Sequence, residues 1–438
     1  MIASAARSLG AYTVDRRPLA VPAYRRLWVS SAVCAVGGSF SVVAVPAQLF
    51  AVTGSSAAVG VAGAVSLVGL VVAALWAGAL ADAMDRRKVL LAAHCGLALT
   101  YVALGMQAVL GGGFVPVLMV LVACQGLSLG AIMTTMGAVV PRLVPAELLP
   151  AANSLSSLTR YAGSILGPVL AGALIPVVGL GALYLFDAVA LLAVVGAVVK
   201  LPALPPQPHP AARRRSAAGL RYLVASRLLV AVLLVDLAAM VFGMPTALFP
   251  ELAQHTYGGP AGGGLELGLL YAAYPAGVVT AGLVSGTFTR ARHHGALMAA
   301  AAAAWGITVV LLGLAAQLWL ALVALVLGGA VNFVLSTFRN AITQAYTHDS
   351  MRGRIQGTLT VVLFGGPHIA NLLHGAATSF LDHRTVIWAG GLLTTVTVAA
   401  VAWALPELRN YTAGSSQDEP ESRHGMLSIE RTAYRTRR

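Results

Sequence analysis

Long apolar runs broken by short polar or basic clusters dominate the chain. No Lys, Arg, Asp or Glu occurs from Ala57 to Ala81, or from Val89 to Val140. A helix needs about 20 mostly apolar residues to cross a bilayer, and runs of that length recur throughout. The pattern predicts an all-α integral membrane protein with twelve spans. The first six are Leu27–Val52 (with Pro46 inside), Val59–Ala81, Val89–Leu110, Val115–Val140, Ser154–Val177 and Leu180–Val199. The second six are Leu228–Leu252, Leu267–Phe288, Ala296–Ala315, Trp319–Ala341, Gly357–Phe380 and Val386–Leu405.

One break differs from the others. Residues 201–226 are rich in Pro and Arg and read as a linker, with a short surface helix expected over Gly219–Ser226. The expected organisation is an N-terminal tail (1–26), a six-helix half (27–200), the linker (201–226), a second six-helix half (227–405) and a polar C-terminal tail (406–438). With both termini cytoplasmic, every Lys and Arg except Arg384 falls on the cytoplasmic side. The positive-inside rule selects that orientation. The abundance of Ala, Gly and Arg suggests a GC-rich bacterial genome, so the expected location is a bacterial plasma membrane.

Composition agrees: 58% of residues are hydrophobic and 10% charged, against about 25% charged in soluble domains. The net charge of +13 is spread over short loops and tails, so it is a topology signal and not a nucleic-acid one. Cys34, Cys95 and Cys124 all lie in apolar runs with no metal or disulfide spacing. No metal, cofactor or nucleotide motif is present, and no enzyme signature of the P-loop, His-Glu-x-x-His or Gly-x-Ser-x-Gly kind.

The densest charge cluster, Asp82 to Lys88, separates the second and third spans. Asp82 and Arg86 are four residues apart, a spacing at which carboxylate and guanidinium can pair. At a constant offset of 204 residues Gly78 maps to Gly282, Arg86 to Arg290, Lys88 to Arg292, Pro46 to Pro250 and Leu155 to Leu359, while Asp82 maps to Gly286. A shared register of this kind predicts two parallel six-span repeats with a substrate site between them.

The stretch Gly78-x-Leu80-Ala81-Asp82-x-x-x-Arg86-Arg87-Lys88 resembles the signature of the major facilitator superfamily. The resemblance implies a conformational latch formed by Gly78, Asp82, Arg86 and Arg87. Asp85 replaces the family's usual glycine, which is expected to weaken the turn. On the fifth span, Gly163, Gly167, Pro168 and Gly172 resemble the Gly-Pro motif of the superfamily's exporters. The arginine that many drug exporters carry before Gln-Gly on span four is absent ahead of Gln125-Gly126.

Ionisable residues inside a membrane are costly and mark candidate sites. Asp236, Asp187 and His368 are the candidates for proton coupling, with Glu251 and His374 also inside the spans. The resemblance places spans one, four, seven and ten around the cavity. Candidate lining residues there are Gln48, Gln125, Met133, Met240, Asn332 and Ser336. Arg339, near the end of span ten, reads as an anchor at the cytoplasmic face.

Ala44-Val-Pro46-Ala-Gln48, Leu248-Phe-Pro250-Glu-Leu-Ala253 and Leu269 to Gly277 are similar to the enterobactin exporter group. That similarity implies export of a catecholate siderophore from the cytoplasm. The lack of a nucleotide motif makes a proton gradient the expected driving force, so the expectation is a monomeric proton-coupled antiporter working by alternating access. Export of macrolides or other drugs is the alternative. A membrane-embedded enzyme or a non-transporting sensor is a third reading, disfavoured by the missing signatures.

Overall fold

The computed structural model describes residues 15–111, 113–205, 226–346, 363 and 365–413. Among these residues the chain is helical and contains no strand. The main helices are α1 (Pro22–Gly37), α2 (Ser41–Thr53), α3 (Ser56–Ala83), α4 (Arg86–Val109), α5 (Val115–Leu143) and α6 (Leu149–Val199). They continue with α7 (Arg227–Gly243), α8 (Leu265–Leu283), α9 (His294–Leu314), α10 (Leu318–Tyr346) and α11 (His383–Ala404). Residues 365–377 are also helical. Nine described helical stretches are long and apolar enough to cross a membrane. Residues 206–225, which hold most of the linker and the expected surface helix up to its last residue, and residues 347–362, which include the start of the expected eleventh span, lie outside the described residues.

Local chemistry sets the ends of these helices. Gly54 closes α2 with a left-handed φ of 62°, a conformation that costs glycine little. Gly179, at φ 77°, bends α6 sharply, so its two arms answer to the fifth and sixth expected spans. Asp85 and Asp382 each accept a backbone N–H two residues on, capping α4 and α11.

The first and seventh expected spans are not continuous helices. The first divides at Gly38–Phe40 into α1 and α2. The seventh stops at Gly243, turns at Met244–Pro245, and resumes through Thr246–Leu248, Phe249–Glu251 and a π-turn at Leu252–Thr256. The 204-residue register puts the two breaks at matching places.

Helices associate through small residues, as expected where lipid removes most of the hydrophobic force between helices. A Cβ on Gly126 or Gly130 of α5 would strike the carbonyls of Ser66 or Leu70 on α3. A Cβ on Gly329 of α10 or Gly277 of α8 would strike Tyr274 or Val326 in the same way. The α3–α5 and α8–α10 pairs are therefore alike in kind. Large apolar side chains such as Trp76, Leu283, Phe380 and Trp403 point outward, the surface a bilayer requires.

The two halves of the chain meet through α6 against α8 and α3 against helix 365–377. Gly172 lies against Gly264 and Gly268, and Gly60 against Asn371. All of these lie toward the end of the bundle opposite the Arg86–Lys88 loop. We call that end the distal face, and the loop's end the basic face.

A methyl group's worth of space separates two kinds of glycine. Gly163→Val drives side-chain atoms into the Ala35 carbonyl and is expected to destabilise by about 1–3 kcal/mol. Gly137→Ala, with open space around it, is expected to be neutral or stabilising by up to about 1 kcal/mol. Thermal unfolding of the detergent-solubilised protein checks both.

Candidate functional site

A cavity of about 310 Å3 opens between the halves, in the part of the bundle nearer the basic face. Tyr161 of α6 forms one side. Tyr274 and Val278 of α8, with Asn332, Ser336 and Asn340 of α10, form the other. The side chains at 332, 336 and 340 recur every four residues, so one face of α10 presents amide and hydroxyl groups in a row. The Tyr274 hydroxyl donates to Oδ1 of Asn332 at 2.9 Å, and its ring packs edge-on to Trp305.

Behind this wall lies a buried ion pair. Arg339 NH1 donates to Oδ1 of Asp236 at 2.7 Å, with side-chain exposures of 6% and 0%. Among the described residues, Oδ2 of Asp236 has no hydrogen-bond partner. Nε and NH2 of Arg339 reach Oδ1 of Asn340 at 3.4 and 3.3 Å, which ties the pair to the cavity lining. Arg339 is thus not the surface anchor its position near a span end suggests. A partner on α7 compensates its charge and holds the guanidinium inside. It is the one charged side chain in the α10 run, and an uncompensated charge at that depth is costly, which was the available signal.

The other candidates are dispersed. Asn332 and Ser336 line the cavity. Gln48 lies elsewhere, donating to Gln107 at 3.0 Å and accepting from the Tyr184 hydroxyl at 2.7 Å, beside a second cavity of about 410 Å3 at the distal face. Gln125 points its amide at the Tyr101 hydroxyl, 3.4 Å away. Met133 is exposed, and Met240 packs where Gly366 leaves room on helix 365–377. His368 is half-buried near Gly63.

Asp187 is fully buried, and both of its oxygens are occupied by backbone. The N–H groups of Phe40 and Ser41, at the first-span break, donate to Oδ1 and Oδ2 at 3.1 and 2.7 Å. The equivalent task at the second break falls to Asn371, whose Oδ1 accepts from the Thr246 hydroxyl at 2.7 Å and the Ala247 N–H at 2.9 Å.

At the basic face, Gly78 and Asp82 fall within α3, and the surroundings of both lie outside the described residues. Arg86 is half-buried, and its backbone N–H donates to the Leu204 carbonyl at 3.2 Å. Arg87 donates from its guanidinium to the Val199 carbonyl. Asp85 does not weaken the turn. Its Oδ1 accepts the N–H groups of Arg87 and Leu204, at 2.9 and 3.1 Å, so it caps α4 and fastens the start of the linker to it.

The exporter-type motif on α6 serves two interfaces. Gly163 and Gly167 admit the first span, at Ala35 and Ser39, while Pro168 and Gly172 meet α8 of the other half.

Comparison with known proteins adds the family context. Residues 14–430 match the family described as transmembrane secretion effector. The enterobactin exporter EntS of Shigella boydii serotype 18 is 29% identical over 396 residues, covering 89% of this chain and 93% of that one. The enterobactin exporter EntS of Escherichia coli K12 is 28% identical with the same coverage. A bacterial homologue of the iron transporter ferroportin, solved in an inward-facing state, superposes with a TM-score of 0.67 at 16% identity, over 89% of this chain and 99% of that one. A D-xylose–proton symporter gives 0.67 at 14% identity, over 88% and 98%.

The buried pair yields a direct test. Arg339→Met leaves Asp236 charged and alone, a loss of about 3–5 kcal/mol. The double variant Asp236→Asn, Arg339→Met removes both charges and is expected to recover most of that loss. A double-mutant cycle on thermal unfolding reads the coupling.

Proposed function

The chain belongs to the transmembrane secretion effector family of the major facilitator superfamily, a family of membrane transporters and not of enzymes, and we propose that it exports an enterobactin-type siderophore from the cytoplasm by proton-coupled alternating access. The observation that carries the proposal is the polar, aromatic cavity between the halves, lying on the basic side of their distal contacts and backed by a buried ion pair. The names of its relatives supply the substrate class.

The orientation proposed puts the basic face in the cytoplasm, with both termini there, and twelve spans in halves 27–200 and 227–405 joined by 201–226. The chain works as a monomer. Substrate enters the cavity from the cytoplasmic side, between Tyr161 and the face of α10 that carries Asn332 and Ser336. The aromatic rings accept planar groups, and the amides and hydroxyl exchange hydrogen bonds with ring hydroxyls. The proton acceptor is Asp236. Protonating its free Oδ2 cancels the charge that holds Arg339, and the guanidinium then shifts against Asn340 in the cavity wall. Asp187, with both oxygens committed to backbone N–H groups, is assigned to holding the first-span break. Asp82 and Arg86 form the cytoplasmic latch of the outward-facing state, with Gly78 and Arg87 beside them.

Drug export is the second reading. Tyr161, Tyr274 and Phe333 line a cavity that has no charged side chain among its described lining residues, which suits bulky amphipathic ligands as well as catechols.

A deletion strain grown under iron limitation separates the two. Siderophore accumulation inside the cells with unchanged drug tolerance is expected. Normal secretion with new drug sensitivity selects the second reading. In everted vesicles, Asp236→Asn is expected to abolish transport driven by a pH gradient while sparing substrate exchange at equilibrium. Asp82→Asn is expected to slow transport at least about tenfold, with normal insertion. Unchanged rates remove either assignment.

A further inference from the structure

At the distal face a carboxylate from one half of the chain meets a hydroxyl from the other. Ser56, in the first turn of α3, donates to Oε2 of Glu251, on the turns that continue α7. Ser56 is buried and Glu251 half-buried. The other oxygen, Oε1, lies 3.4 Å from Nδ1 of His383, the first residue of α11. Oδ1 of Asp382 lies 3.2 Å from that same nitrogen. Nε2 of His383 is 2.9 Å from the Thr256 hydroxyl. The His255 ring stands edge-on to Phe50 of the first half, 5.7 Å between centroids, and to His383, 6.5 Å away.

The groups facing the Glu251–His383 pair are therefore Ser56 from α3, His255 and Thr256 from the turns beyond α7, and Asp382 from the cap of α11. Arg384 turns away and donates to the carbonyls of Gly313 and Leu314 at the end of α9.

This arrangement fixes how the imidazole holds its protons. Two carboxylate oxygens beside Nδ1 call for an N–H there. The neutral ring then accepts the Thr256 hydroxyl hydrogen at Nε2. One added proton goes to Nε2, the Thr256 hydroxyl becomes the acceptor, and the ring carries a full charge against Glu251 and Asp382. The charge matters because closing this face takes the Glu251 carboxylate partly out of water. A carboxylate buried with only a neutral partner carries a desolvation penalty that opening relieves, and a cationic partner offsets it.

We propose that Ser56, Glu251 and His383 form a proton-operated lock on the distal face, closed when His383 takes up a proton from that side. The lock rests on the alternating-access reading above. It requires neither the siderophore substrate nor coupling at Asp236. Acid on the distal side favours the closed face, because a charged ring offsets the partial burial of the Glu251 carboxylate that closing requires. Neutral to alkaline conditions favour opening.

The test uses the full chain in lipid nanodiscs, with Cys34, Cys95 and Cys124 replaced by Ala. Spin labels go on Val52→Cys and Phe380→Cys, both exposed at the distal face, one in each half. In the labelled parent the ratio of short to long distances is expected to rise about 3–10-fold between about pH 8 and about pH 5.5. His383→Gln, which keeps a side-chain amide for Thr256, is expected to flatten that response. His383→Arg, permanently charged, is expected to hold the short distance at both pH values. A parent with no pH response, or a Gln variant that responds as the parent does, overturns the lock. Siderophore transport in everted vesicles is measured on the same preparations. If transport is absent while the distance response and its loss in His383→Gln persist, the export reading fails and the lock stands.

Discussion

Inside a bilayer every backbone N–H and C=O must find a partner within the protein, and the first and seventh spans of this chain violate the simplest way of meeting that demand. Each breaks near its middle, at Gly38–Phe40 and at Met244–Pro245. The freed N–H groups are met by side chains from other helices. Asp187 takes those of Phe40 and Ser41, and Asn371 takes that of Ala247. Without these acceptors each unpaired N–H would cost about 1–3 kcal/mol. The breaks are repeat-related, but the repairs are not. Gly391 occupies the place that the 204-residue register assigns to Asp187, and Gly167 the place it assigns to Asn371. There the glycines do a different task, allowing close approach at Gly306 and Ser39. Two broken helices are thus held by a carboxylate from the sixth span in one half and an amide from the eleventh in the other.

The same asymmetry extends to the buried charges. Arg339 and Asp236 map onto Thr135 and Ala32, so the ion pair exists in one half alone. The two acids of the Gly78–Lys88 stretch likewise lack acidic counterparts, Asp82 mapping to Gly286 and Asp85 to Thr289. The second half carries a paired acid and base inside α7 and α10, beside the cavity, and the first carries a buried carboxylate held by backbone N–H groups, Asp187, with its other acids at the basic face. A bundle built from two similar packing units therefore has two dissimilar electrostatic surfaces, and an event that changes charge acts on each half differently.

Hydropathy made the helices legible because a bilayer imposes one length and one polarity on every crossing. Gly163, Gly167 and Gly172 were legible as packing positions because only small residues allow backbones to touch in lipid. Arg339 was not read correctly, since a basic residue a few positions from a span end has the same local sequence as an anchor. Its partner Asp236 lies 103 residues away, and no periodicity reports a contact at that separation. Asp85 misled for a related reason. Measured against the family pattern it is a missing glycine, but its side chain supplies a helix cap and a link to Leu204 that a glycine lacks. Asp187 read as a site because a buried acid is expensive, and the structure shows the expense offset by two backbone donors. Burial marks the residues that matter, but only geometry separates those that hold the fold from those left with an open valence.

That distinction orders the acids of the chain. Asp187 has both oxygens filled by backbone that cannot leave without breaking α2. Glu251 has both oxygens filled by side chains, one from each half of the chain. Asp236 has one oxygen filled and one with no partner among the described residues. A proton added to Asp187 therefore works against a helix terminus, and at Glu251 or its histidine it changes how two movable surfaces adhere. At Asp236 it meets a vacant lone pair and a guanidinium already in contact with the cavity wall. The reach of each acid into the cavity rises along that series: Asp187 is tied to a helix terminus, Glu251 to the distal face, and Asp236, through Arg339 and Asn340, to the cavity wall itself.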